Sequence, residues 1–383
     1  MRPKVDSDNK VIPNLHTTGF SPSSLYLHPV LEFRRLVYPF TAIVDQSELK
    51  LALLLNAVNL LIGGLLIRGQ KGTGKSSAVR AMADVLPEVT VVRGCPFNCS
   101  PTDPTNMCPT CLERFRGGEV LETETRRMRI VSLPIGATED RVIGSLDIEK
   151  AIGQGIRALQ PGLLVEANQN ILYIDEVNLL PDHITDSILD AAASGWNTVE
   201  REGVSVSHPS RFILIGTMNP EEGELRPQLA DRFSLHISVG GIYDEAQRVE
   251  IIRRNLEFGE DPVGFTKRWQ DEQKGLRKRI TDARELVGVV DAPEPMMRAV
   301  ASACIRLHVD GHRPDISTIR AAKALAALEG RRAVTAEDIM RSAVMAVGYR
   351  TRGFGFEEPA KPEEIREAFA GAIELATGME ARE

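Results

Sequence analysis

The sequence predicts an α/β fold, a parallel sheet covered by helices, followed by a mostly helical second domain. Three observations predict it. Short apolar runs alternate with amphipathic stretches from Tyr38 to about residue 243. One of those runs feeds directly into a glycine-rich loop and a helix. After residue 243 the strand pattern stops and only helical spacing remains.

In chain order, residues 1–37 mix Pro, Ser, Asp and Asn with few apolar residues and read as an N-terminal extension. The apolar stretch Leu51 to Ile67 is interrupted by Asn56, Asn59 and Gly63-Gly64, so it reads as a buried helix followed by a buried strand and not as a membrane span. Strands are expected at 64–68, 90–92, 171–174 and 212–215, with helices at 76–86 and 184–193. Residues 38–243 are therefore an α/β core. Helices follow at 244–256, 294–307, 316–328 and 335–346, the last opened by the N-cap pair Thr335 and Asp338. Residues 244–350 form the helical domain, and 351–383 a tail with one helix from Pro362 to Ala376.

Composition narrows the function. The 383 residues carry 53 acidic against 46 basic side chains, a net charge of −7, which argues against a dedicated nucleic-acid binder. Met1 to Lys10 is charged without an apolar run, so no signal peptide is expected and a cytoplasmic location is. The seven His residues are scattered without paired spacing and read as core or surface.

Gly69-Gln70-Lys71-Gly72-Thr73-Gly74-Lys75-Ser76 satisfies G-x-x-x-x-G-K-[ST] at every fixed position. Its glycines let backbone N–H groups wrap phosphates, Lys75 can reach the β- and γ-phosphates of ATP, and Ser76 can bind Mg²⁺. Ile171 to Ile174 runs into Asp175-Glu176, which places two carboxylates at a sheet edge. Asp175 is expected to hold Mg²⁺ and Glu176 to polarise the attacking water. Asn219, in Gly216-Thr217-Met218-Asn219-Pro220 after another strand, is expected to orient that water. Arg232, in Arg226 to Phe233, reads either as a charge-stabilising arginine reaching a neighbouring subunit or as a surface salt bridge, with Asp231 a candidate brace.

These motifs together resemble the AAA+ ATPases of the helix-2-insert type, the magnesium chelatase I subunits and related cobalt chelatase ATPases in particular. Residues 38–44, the P-loop, 171–180, 199–203 and 216–233 carry the resemblance, which spans roughly residues 38–350. It implies a P-loop core with a helical lid, a homo-oligomeric ring, usually hexameric, and ATP between subunits. It implies Arg232 as the arginine finger and Arg313, in Asp310-Gly311-His312-Arg313-Pro314, as the sensor 2 arginine. It also implies a helix-2 insert from Ile143 to Leu164, which accounts for the 100-residue gap between Lys75 and Asp175. The implied activity is ATP turnover that drives a partner to insert Mg²⁺ into protoporphyrin IX. The implied partners are a D-type AAA+/integrin-like subunit and a large porphyrin-binding subunit, with no membrane and no nucleic acid. A cobalt chelatase ATPase and a MoxR-type chaperone for metalloenzyme maturation remain open.

Four of the five cysteines, Cys95, Cys99, Cys108 and Cys111, fall in C-x₃-C and C-x₂-C pairs eight residues apart, with Pro96, Pro101, Pro104 and Pro109 favouring tight turns. That spacing suits structural Zn²⁺, with a redox dithiol pair or an iron–sulfur cluster as alternatives. Cys304 stands alone in an apolar helix and reads as core.

Overall fold

The computed structural model describes residues 36–146, 159–201, 204–350 and 360–380. The central sheet has five parallel strands: β1 (Leu65–Gly69), β2 (Ile130–Leu133), β3 (Ile171–Ile174), β4 (Ile213–Met218) and β5 (Leu235–Val239). They lie side by side in the order β5-β1-β4-β3-β2. Strand β4 therefore separates the strand that leads into the P-loop from the strand that ends in Asp175-Glu176. The inner strands read as continuous apolar runs because helices cover both faces. Their side chains alternate between two cores. Leu65 and Ile67 of β1, Ile171 and Tyr173 of β3, and Ile213 and Ile215 of β4 face one core. Leu66, Leu172, Ile174 and Leu214 face the other. The first core takes the helices Ser47–Val58 and Lys75–Met82; the second takes Leu163–Ala167 and Asp182–Ser194.

Two expectations are corrected here. The run at 90–92 forms a strand (Val89–Val92), but it pairs antiparallel with Thr123–Arg126, outside the parallel sheet. The sheet's edges are instead β2 and β5, whose polar alternation (Ser132; His236 and Ser238) hides them from a search for apolar runs. Two further hairpins appear. Trp196–Arg201 pairs with Val204–Pro209, and Gly144–Leu146 pairs with Leu159–Pro161. The second falls where the insert is expected to begin and end, and residues 147–158 of that expected segment lie outside the described residues. Its two arms meet at glycines: a Cβ on Gly162 would sit 2.4 Å from the Gly144 nitrogen.

Beyond β5 the described chain is helical: Glu245–Glu260, Pro262–Arg268, Gln270–Leu286, Glu294–Arg306, Arg313–Leu328, Ala336–Val347 and Pro362–Glu380. Gln270–Leu286 is an unpredicted helix whose apolar face is narrow, with only Ile280 and Ala283 buried. Ala336–Val347 opens with the expected capping box: Thr335 N–H donates to Asp338 Oδ2 at 2.8 Å, and Asp338 N–H donates to Thr335 Oγ1 at 3.4 Å. Arg331 adds two bonds to the same carboxylate at 2.6 and 2.7 Å. These helices do not bury a core of their own. Ala299, Ala303, Ala321, Leu325, Ile339 and Phe369 belong to the core that also holds Leu65 and Ile67. Arg284 Nε donates to the Ala57 carbonyl at 2.8 Å across the same junction. No described helix is long and apolar enough to cross a membrane.

Candidate nucleotide site

The P-loop leaves β1 at Gly69 and enters the helix at Lys75. Gly72 and Gly74 both hold φ +83°, a left-handed conformation that costs an L-residue about 1 kcal/mol or more. A helix N-terminus so presented aims free N–H groups and its positive dipole end at an anion. Lys75 Nζ donates to the Gly69 and Gln70 carbonyls, the latter at 2.7 Å. Its ammonium is pushed below its usual range by burial, which Asp175, Glu176 and Glu222 partly offset. Gln46 secures the loop from outside, donating to the Thr73 carbonyl at 2.5 Å.

Asp175 stands at the end of β3 inside a ring of hydroxyls. Tyr173, two residues earlier and so on the same face of the strand, places its phenol oxygen 2.8 Å from Asp175 Oδ1 and 2.9 Å from Ser76 Oγ. Thr217 of β4 donates to the same Oδ1 at 2.7 Å, and Ser76 Oγ lies 3.5 Å from it. Burial pushes the Tyr173 phenol up to about 12, so it is a neutral donor at any working pH. Its single proton serves the carboxylate, the stronger acceptor. This is a hard-oxygen donor set, with Ser76 and Asp175 side by side at the mouth of an anion cradle, and it fits Mg²⁺ carried with a nucleotide.

Glu176 holds φ +55°, a conformation worth about 1–3 kcal/mol of strain in a non-glycine residue. Its N–H bonds Thr217 Oγ1 at 3.4 Å. Its carboxylate pairs with Lys71 at 3.5 Å, and Lys71 bonds Glu222 at 2.6 Å. The hydrogen bond that Lys71 donates to Glu222 is the main reason that its exposed ammonium is raised. Asn219 leaves β4 as a buried residue, and its side-chain oxygen caps the following turn by accepting from Glu221 N–H at 3.3 Å.

Arg232 and Arg313 line a second cleft of about 480 Å³ with Asp190 and Arg320, away from residues 69–76. Arg232 is held by Asp190 at 2.5 Å and Asp186 at 3.5 Å. The carboxylate of Asp231, the expected brace, pairs with Arg350 at 3.6 Å instead, while its backbone carbonyl accepts from Arg313 at 3.0 Å and from Arg350 at 2.7 Å. Sequence reasoning missed Tyr173, Thr217, Lys71 as the partner of Glu176, and the buried Arg350. The i−2 position of Tyr173 relative to Asp175 was the one readable signal.

The four clustered cysteines do converge. Their sulfurs all lie within 4.8 Å of one another, and Cys99, Cys108 and Cys111 are buried. Cys304 is a separate, buried residue of the helix Glu294–Arg306.

A family model described as AAA domain (dynein-related subfamily) matches residues 118–233, and one described as AAA lid domain matches residues 297–368. The chain is 57% identical over 323 residues to the magnesium-chelatase subunit ChlI homolog of Methanocaldococcus jannaschii, covering 84% of this chain and 88% of that one. It is 51% identical over 335 residues to the chloroplastic magnesium-chelatase subunit ChlI of Chlamydomonas reinhardtii, covering 88% and 80%. Among solved structures it is similar to a chain of the complex between subunits BchI and BchD of magnesium chelatase, reconstructed by cryo-electron microscopy. That match has a TM-score of 0.50 and 47% identity, over 83% of this chain and 97% of that chain. With a P-loop, a carboxylate pair and a helical lid in one chain, and relatives of this identity over most of its length, the protein belongs to the magnesium-chelatase subunit I family of AAA ATPases.

Proposed function

We propose that the chain is the ATP-hydrolysing motor of a magnesium chelatase, and that its turnover drives a separate subunit to insert Mg²⁺ into protoporphyrin IX. The observation that carries the reading is the convergence of Lys75, Ser76, Asp175 and Glu176 at one sheet edge in a chain of this family. The backbone of residues 69–74 wraps the phosphates, and Lys75 leaves its two loop carbonyls to reach them. Ser76 and Asp175 would hold the Mg²⁺ that accompanies ATP, and the ion would supply neutralising charge to the phosphates. Glu176 accepts a proton from the attacking water, and Asn219 orients that water from the adjoining strand.

Arg232 and Arg313 share a cleft that none of residues 69–76 lines, which supports their presentation to the nucleotide of a neighbouring copy. That arrangement calls for a homo-oligomeric ring, hexameric in our reading. The ring works with a D-type subunit and a large porphyrin-binding subunit that supplies the tetrapyrrole site. We also assign a structural zinc ion to the four clustered cysteines, remote in role from the ATP chemistry.

Reconstitution tests the function. With both partner subunits, the wild-type chain supports ATP-dependent Mg²⁺ insertion, and alone it hydrolyses ATP without inserting metal. Glu176→Gln retains ATP and loses turnover by about 10²–10⁴-fold, the size of a lost general base, and insertion stops with it. Insertion driven by a Glu176→Gln ring would refute the coupling, and cobalt insertion into a corrin precursor alone would move the chain to the cobalt branch.

A further inference from the structure

We infer that the zinc ion at Cys95, Cys99, Cys108 and Cys111 is a clamp on the base of the 144–161 hairpin, set at the end of the sheet opposite the nucleotide. This inference rests on the zinc reading of the cysteines and adds what the metal holds together.

The sulfur geometry selects the occupant. A tetrahedral ion with Zn–S bonds of about 2.3 Å separates its sulfurs by about 3.8 Å. Cys95 Sγ lies 3.5 Å from Cys99 Sγ and 3.9 Å from Cys108 Sγ. A cluster of two or four irons would spread the thiolates over separate metal atoms, farther apart than the edges of one tetrahedron. The Cys108 N–H donates to Cys99 Sγ at 3.0 Å, which fixes that sulfur against the second pair of cysteines. Four thiols that ligate Zn²⁺ release their protons to solvent and leave a site of net charge −2. Arg93 and Arg114 line a cavity of about 440 Å³ with Cys95, Cys108 and Cys111, each paired with a carboxylate of its own, Glu122 and Glu119.

The packing shows what the knuckle holds. Cys99, Cys108 and Cys111 belong to a third core, distinct from the two that flank the sheet. The same core includes Leu146 and Leu159 from the two arms of the insert hairpin, and Val199 and Val206 from the 196–209 hairpin, alongside Val92, Phe97, Met107, Leu121 and Val165. Phe97, between the first two cysteines, stacks on the buried His208 at 5.5 Å. His208 pairs with Asn197, which donates to the Ile143 carbonyl at 2.9 Å, one residue before the insert's first arm. On the other side, Asn168 donates to the Phe97 carbonyl at 2.8 Å, and Gln169 donates to the Asn98 carbonyl at 2.7 Å. These two residues lead into β3, whose far end carries Asp175 and Glu176. One cysteine loop thus ties both hairpins to the start of the strand that ends in the catalytic carboxylates. A metal crosslink at the cysteines would couple these segments through one ion, because binding energy at such a site is also folding energy.

The test uses the full chain, purified without added metal. Elemental analysis should find about one zinc per chain, lost in Cys108→Ser and kept in Cys304→Ser. Hydrogen exchange is then compared before and after chelation of the wild type, which avoids any variant that fails to fold. Peptides covering 144–146, 159–165 and 196–209 should lose protection on the order of tenfold or more, while those covering 65–69 and 75–82 hold theirs. Iron with visible absorption, or metal-free protein with reversibly oxidised thiols, overturns the zinc reading. Zinc present, with exchange unchanged at the hairpins or raised equally in β1, leaves zinc standing and overturns the clamp.

Discussion

Removing one oxygen atom tests the hydroxyl ring around Asp175. Tyr173→Phe keeps the ring, the rotamer and the packing of a side chain that is 1% exposed, and deletes only the donor 2.8 Å from Asp175 Oδ1. Asp175 then keeps Thr217 at 2.7 Å and the more distant Ser76 at 3.5 Å. A hydrogen bond to a charged group contributes about 1.5–3 kcal/mol. If half or more of that is spent orienting the carboxylate toward Mg²⁺, the loss is roughly one decade, since about 1.4 kcal/mol is tenfold. The assay is a Mg²⁺ titration of ATP turnover at fixed ATP. The half-saturating Mg²⁺ should rise about tenfold, with a smaller fall in maximal rate, because Glu176 and Lys75 are untouched. Circular dichroism and a melting curve check that the fold persists. An unchanged Mg²⁺ requirement in a folded variant would refute the assignment of Asp175 as the residue whose orientation the hydroxyls control.

The cleft that pairs Arg232 with Arg313 predicts complementation between subunits: Arg232→Ala and Lys75→Ala should each abolish most turnover, the former by on the order of 10³-fold. Rings mixed from the two should recover part of it, and rings shown to be mixed without recovery would place the site within one chain. In the helical region, Asp338→Asn should lower stability by about 1.5–3 kcal/mol in denaturant, because the carboxylate accepts from both Arg331 and Thr335. Burial alone would raise that carboxyl, but the bonds from Arg331 and Thr335 hold it below its ordinary 3.8. Its contribution is therefore complete above that value and lost as the pH falls toward the depressed folded one. An equal gap between wild type and variant in acid and at neutrality would refute this.

How legible each part was follows from what its residues had to satisfy. Strands β1, β3 and β4 were readable because burial on both faces demands unbroken apolar runs. The edges β2 and β5 were not, because one side of an edge strand may stay polar. The helix Gln270–Leu286 escaped because charged residues cover most of its circumference. In the site, residues 69–76 and Asp175-Glu176 announce themselves, since wrapping phosphate and holding a cation restrict the residue type. Tyr173 does not, because in an apolar run its ring satisfies the core and its hydroxyl matters only once Ser76 and Thr217 are folded beside it. Arg232 was named from its motif, but its partners Asp186 and Asp190 come from a different helix, which no local pattern reveals.

The helices that follow β5 share their apolar interior with the sheet, and this limits how one chain can do mechanical work. A hinge opening between the two regions would part Leu65 and Ile67 from a core that includes Ala321 and Leu325, exposing apolar area at about 25 cal/mol per Å². Shear of a few degrees costs far less than separation. In the proposed ring, such a chain would act as a stiff link whose give lies at its joints with other copies, and a change at one nucleotide would reach the next subunit as a displacement of the whole link. A stroke of that kind is transmitted by position, like one tooth of a gear pressing on another.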